Sequence, residues 1–365
     1  MTNQMARRCC ILFVLTWFLN GNVQAEPPIE TPRIETPPVL LQMLRNDVVL
    51  DEMGASDADK ELVHDALDRV DGDWWRSRIL SPQERIDAVN RLTDQVNAEL
   101  AEGLSPKSLA RMKQLERQAL GTRMFLAEDV AAELKLNPAV VKKMKTIFSE
   151  TDTSVANLQK RATSGETTDV LNAEQAKLAV RERVAIVGLL TNDQKSQLAS
   201  LTGDTFAFEK ATRTMPRAPE FIQDETQWIQ GTSTSLVDLR GKVVIVHFYA
   251  YQCINCQRNL PHYNAWFKDY ADQNLVVIGI QTPETSSERS YANVTSAAKS
   301  DGIEYPVLMD PQSANWQAWG TTMWPSVYLI DREGYLRSWW AGELNWQDNP
   351  GEQKFRKLIE AVLAE

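Results

Sequence analysis

Two lengths of this 365-residue chain follow different hydrophobic periods, and that difference sets what it can fold into. From 39 to 205, apolar residues recur three and four apart. Ile86, Val89, Leu92, Val96 and Leu100 form one such stripe; Val140, Val141, Met144, Ile147, Phe148, Val155 and Leu158 form another. That spacing predicts helices. Their starts are marked by Ser81-Pro82, Ser105-Pro106 and Asn137-Pro138, and by Thr191 with Gln194 three residues on. Gly203 reads as a helix stop. Beyond 217 the texture changes. Residues 242–249 (KVVIVHFY) and 274–281 (NLVVIGIQ) are β-branched and aromatic runs of strand length, and 305–309 and 326–330 are shorter ones. Residues 331–334 read as a hairpin turn into a strand at 335–340. Amphipathic helices are expected at 256–272, 287–300 and 351–363. The predicted fold is therefore two-domain, an N-terminal all-α helical region followed by an α/β sandwich. A chain of this length favours two cores over one.

The ends of these domains are set by segments of other composition. Arg7 and Arg8 precede an eleven-residue apolar run at 9–19, and Val23-Gln24-Ala25 presents small residues at the spacing a signal peptidase reads. Residues 1–25 are expected to be a signal peptide, since so short a run does not span a bilayer. Residues 26–38 (EPPIETPRIETPP) read as a Pro-rich linker, 39–205 as the helical domain, 206–217 as a second linker and 218–365 as the α/β domain. Export makes the expected location periplasmic or otherwise extracytoplasmic. The formal charge of -10, with no basic stripe, excludes nucleic acid as a partner.

Removal of the leader takes Cys9 and Cys10 and leaves Cys253 and Cys256, with Ile254 and Asn255 between them. A pair three residues apart closes almost no loop, so it contributes little stability and is there for chemistry. The motif follows a strand and opens a helix. Free N–H groups at a helix start stabilise an anion, so the first thiol ionises easily, and the second lies one turn on, within bonding reach. The pair can pass between dithiol and disulfide. Zinc would need four ligands, and the only other candidates are His64, His247 and His262. Covalent haem would need His where Gln257 stands. No metal and no cofactor is expected.

Residues 244–266 (VIVHFYAYQCINCQRNLPHYNAW) resemble the thioredoxin-like module of DipZ-type proteins, within the TlpA/ResA group of extracytoplasmic redoxins. Ala218-Pro219-Glu220-Phe221, Leu239-Arg240-Gly241-Lys242, Pro261, 275–284 (LVVIGIQTPE) and Trp324-Pro325 continue the likeness in register. The resemblance implies a thioredoxin-like sandwich with a TlpA-type helix-bearing insertion around 287–310. It implies a nucleophile at Cys253, a resolving thiol at Cys256, a cis proline at Pro325 and Trp324 beside the sulfur. It also implies a thiol-disulfide oxidoreductase whose partners are disulfide- or thiol-bearing exported proteins, acting as a reductant rather than as an oxidant. DipZ-type proteins join this module to a membrane electron-transfer domain, and no counterpart stands in this sequence. A separate membrane electron donor is therefore expected.

Two positions depart from the group. His247 stands where thioredoxins carry a buried acid, and Asn259 where the TlpA group has Glu. His247 is accordingly expected to take the proton of Cys256. In the helical region, Leu190-Thr191-Asn192-Asp193-Gln194 is similar to the LTxxQ element of Spy-type envelope proteins. That leaves a second reading open: a non-catalytic, chaperone-like envelope protein whose helical domain docks partners and whose redoxin domain is a sensor.

Overall fold

The structure, a computed structural model, describes residues 37–163 and 168–365. The expected leader, and all but the last two residues of the linker at 26–38, lie outside the described residues. By its internal contacts the chain divides into two units. One comprises the described residues up to Ala66 with Thr93–Thr214, the other Leu67–Leu92 with Met215–Glu365.

The first unit is helical, as its 3.6-residue period requires. It is built from α1 (Val39–Met43), α2 (Asp47–Glu52), parts of α3 (Asp57–Ser77) and α4 (Pro82–Gly103), α5 (Pro106–Leu120), α6 (Glu128–Glu133), α7 (Pro138–Thr163), α8 (Thr168–Gly188) and α9 (Asn192–Thr202). Proline takes the first position of α4, α5 and α7, where its missing N–H costs nothing. The Leu190–Gln194 stretch is a complete capping box. Thr191 Oγ1 accepts from Gln194 N at 3.2 Å, and Gln194 Oε1 accepts from Thr191 N at 3.0 Å. Gly203, at φ +63°, ends α9. Met124, Phe125, Met144, Phe148, Ile186 and Leu201 pack together as a core. Beside it Arg123 pairs bidentately with Asp152 (3.0 and 2.7 Å) and with Glu182 (2.9 Å).

The second unit is a six-stranded sheet in the order β1 (Trp228–Gln230), β4 (Val307–Met309), β3 (Leu275–Gln281), β2 (Val243–Tyr249), β5 (Ser326–Ile330), β6 (Leu336–Ala341). β2, β3 and β4 run parallel; β5 and β6 are antiparallel to the strands beside them, and so is β1. The hairpin joining β5 to β6 turns where expected: Asp331 Oδ1 accepts from Glu333 N and Tyr335 N, and Gly334 takes φ +81°. β2 is buried along its whole length, which is why it reads as an unbroken apolar run. Its side chains alternate between two cores. Val243, Ile245 and Tyr249 face the helices α10 (Ile254–Asp269) and α13 (Gly351–Leu363), whose Leu260, Tyr263, Trp266, Phe355 and Ile359 fill that side. Val244, Val246 and Phe248 face Phe221, Leu236, Leu239 and Trp319. Between β3 and β5 lie a 3-10 turn (Ser286–Arg289), α11 (Tyr291–Ser300), β4 and α12 (Ala314–Ala318).

Trp75 belongs to this second core, although it lies within the stretch 39–205 that reads as helical from sequence. Its indole meets Tyr328 and Trp339 edge-on at 6.0 and 5.3 Å, and Nε1 donates to Trp319 O at 2.8 Å. The Arg78 guanidinium lies 3.6 Å over the Trp75 ring and donates to the Trp319 and Gly320 carbonyls. Leu67–Leu92 thus groups with the sheet because its aromatic face is buried there, although its helical period is that of the first unit.

Candidate functional site

The two cysteines sit where the central strand gives way to its following helix. β2 ends at Tyr249; a turn closes with Cys253 N donating to Ala250 O at 3.1 Å, and α10 starts at Ile254 with Cys253 as its N-cap. The helix begins two residues before the expected start at 256, so the first sulfur stands at the very end, beside backbone amides that have no partner within the helix. Both cysteines are free thiols. Cys253 is half-buried and Cys256 is 1% exposed.

Their environments push the two thiols apart. A hydrogen bond from the Cys256 side chain, helped by the amides of Cys256 and Asn255, outweighs partial burial and lowers Cys253 to about 7. Burial, reinforced by the hydrogen bond to Cys253, pushes the Cys256 thiol far above its ordinary value. A thiol about half ionised at neutral pH thus neighbours one that stays protonated. Glu284, exposed in the loop after β3, opposes ionisation of both.

The remaining expected residues surround this pair unevenly. Ile254 is 58% exposed beside Cys253, and Asn255 is half-buried. The Trp324–Pro325 peptide is cis. Trp324 packs against the same core cluster as Cys253. It stacks on Trp316 (4.1 Å between centroids) and donates Nε1 to Thr282 O at 3.2 Å. Pro325 O accepts from Gly342 N at 2.7 Å.

His247 lies on the α10 side of the sheet, stacked on Tyr263 at 4.4 Å, with Nε2 3.0 Å from Tyr305 Oη. None of its hydrogen bonds among the described residues reaches a cysteine. Full burial holds it down at about 3, so the ring is neutral and a weak proton acceptor.

Two residues that the sequence reading did not assign are built into the site. Asn259, 1% exposed, donates to Tyr263 Oη (3.0 Å) and Gly342 O (3.2 Å) and accepts from Leu344 N (3.0 Å). It brackets the chain after β6 to α10 by neutral hydrogen bonds. Glu288 is fully buried and holds the turn before Cys253. Its signal was legible as the capping pattern Thr285-Ser286-Ser287-Glu288, but the turn it reaches was not.

Residues 216–339 match the AhpC/TSA family. The α/β domain is similar to curated thioredoxin-like relatives. Protein DipZ of Mycobacterium bovis is 36% identical to this chain over 183 residues, 49% of this chain and 25% of that protein. The chain therefore spans a quarter of the length of DipZ. Thiol-disulfide oxidoreductase ResA of Geobacillus thermodenitrificans is 27% identical over 131 residues, 36% of this chain and 71% of that protein. A solved structure from Chlorobium tepidum, titled a putative thiol:disulfide interchange protein DsbE, is 22% identical with a TM-score of 0.35 and covers 40% of this chain and 95% of that one. In this thioredoxin-like domain, Cys253 caps α10 at the end of the turn after the central strand, and Cys256 lies in the first turn of α10.

Proposed function

We propose that this chain is an extracytoplasmic thiol-disulfide oxidoreductase that reduces disulfides of exported proteins through Cys253 and Cys256. The inequality of the two thiols carries the reading: one half-buried and ionised near neutrality, the other buried and protonated.

The Cys253 thiolate attacks one sulfur of a partner disulfide, forming a mixed disulfide and releasing the partner's other sulfur as a thiolate that takes up a proton. Cys256 then loses its proton and attacks Cys253 Sγ. The partner leaves with both sulfurs reduced, and two electrons have passed from the pair, which is left as a disulfide. A separate membrane electron donor restores the dithiol. Thiols of this kind run from about 3.5 in strong oxidants to about 7 in reductants, and Cys253 lies at the reducing end.

Reduction of insulin by the full chain, with dithiothreitol as the electron source, tests this reading. Wild type is expected to accelerate it well beyond dithiothreitol alone, and Cys253→Ser to abolish the acceleration. A folded wild type no faster than dithiothreitol would overturn it.

A further inference from the structure

Glu288 is fully buried, and the reaction outlined above does not use it. It closes the short 3-10 turn after β3, where its Oε2 accepts from Thr285 N at 2.8 Å as a capping box requires. This carboxylate does more than cap. Oε2 also accepts from Glu284 N at 2.6 Å, and Oε1 crosses 36 residues of sequence to accept from Gln252 N at 2.8 Å. Gln252 immediately precedes Cys253. Its side-chain oxygen in turn accepts from the hydroxyls of Thr285 (2.7 Å) and Ser287 (3.1 Å). The turn that presents the nucleophile is thus tied to the loop after β3 from both its backbone and its side chain. Burying a carboxyl group is costly unless its lone pairs are filled by donors, and here three amides fill them.

We propose that Glu288 is a positioning residue for Cys253, holding the 250–253 turn so that the sulfur stays at the first turn of α10. The proposal rests on the reading of Cys253 as the nucleophile. The groups that favour its thiolate are the Cys256 side chain and the amides of Cys256 and Asn255, all on α10; Glu284, on the loop after β3, opposes it. A turn released from Glu288 lets the sulfur leave those donors.

Position and charge predict opposite signs. Glu288→Gln keeps one acceptor oxygen but removes the negative charge and the second acceptor. Loss of position makes Cys253 harder to ionise; loss of a nearby negative charge alone makes it easier. The experiment is the pH dependence of iodoacetamide alkylation of the reduced full chain, read at Cys253 by peptide mass. Glu288→Gln is expected to raise the midpoint by half a pH unit or more and to slow alkylation at pH 6 by about three-fold. Gln252→Ala, which removes only the exposed half of the tether, should move it the same way by less. An unchanged midpoint in folded Glu288→Gln, or a lowered one, overturns the proposal. If Glu288→Gln does not fold, Gln252→Ala decides: a raised midpoint supports positioning, and no shift overturns it. Insulin reduction separates the two readings. Wild type without turnover would remove the proposed function and leave the alkylation shift standing, whereas turnover without a shift would remove only the role of Glu288.

Discussion

The indole N–H of Trp75 donates to the carbonyl of Trp319 across 2.8 Å, although 244 residues separate them. Trp75 is 4% exposed and packs against strand residues of the thioredoxin-like sheet. Trp75→Ala removes that packing and leaves a cavity, so it should destabilise the unit by about 3–5 kcal/mol. Urea unfolding of the full chain checks this, and a loss under about 1 kcal/mol would place the indole outside the core.

That contact also marks where the sequence stopped being readable. β2, β3 and β5 were legible because fully buried strands are written as unbroken β-branched runs. The cysteine turn was legible because a strand, two thiols and a helix follow one another within a few residues. β1 was not, since three residues pairing across a bulge carry no period. The place of Trp75 was hidden by the helical stripe around it. One signal was present: apart from Trp17, every tryptophan except Trp74 and Trp75 lies beyond 217. Asn259 was noticed only as a missing Glu, because its three hydrogen bonds reach residues 83 to 85 positions away or one turn along the helix. Side-chain chemistry reads from sequence when its partners are local, and not when the fold supplies them.

The charge of Glu284, in the loop after β3, acts on both thiols and raises Cys253. Glu284→Gln should therefore lower the midpoint of Cys253 alkylation by a few tenths of a pH unit at low salt. The effect should shrink toward zero by about 1 M salt, because the carboxylate is exposed and screened. A shift upward, or one independent of salt, would contradict the electrostatic origin.

His247 should make stability depend on pH in a definite direction. Its folded value, about 3, lies below the ordinary 6.5, so between these limits the unfolded chain binds one more proton than the folded one. Its contribution is fully present above 6.5 and is lost as pH falls toward 3, by about 1.4 kcal/mol per pH unit. Wild type minus His247→Asn unfolding free energies should show that slope and no slope above pH 7.

The same burial should make His247 a poor acceptor for the Cys256 proton, against the role expected from its place in the sequence. Resolution of a mixed disulfide should run at equal rates in wild type and folded His247→Asn from pH 5 to 9, measured by stopped-flow release of a labelled peptide. A slower variant with the pH profile of a lost base would restore His247 to the chemistry.

The central claim is that Cys253 attacks and Cys256 resolves. Mixing reduced Cys256→Ser protein with a disulfide-bonded peptide and mapping the covalent adduct by mass tests it most directly. The account predicts one peptide per chain, attached at Cys253, and no adduct with Cys253→Ser at neutral pH. An adduct at Cys256 in the Cys253→Ser protein, formed as fast as the one at Cys253, would contradict it.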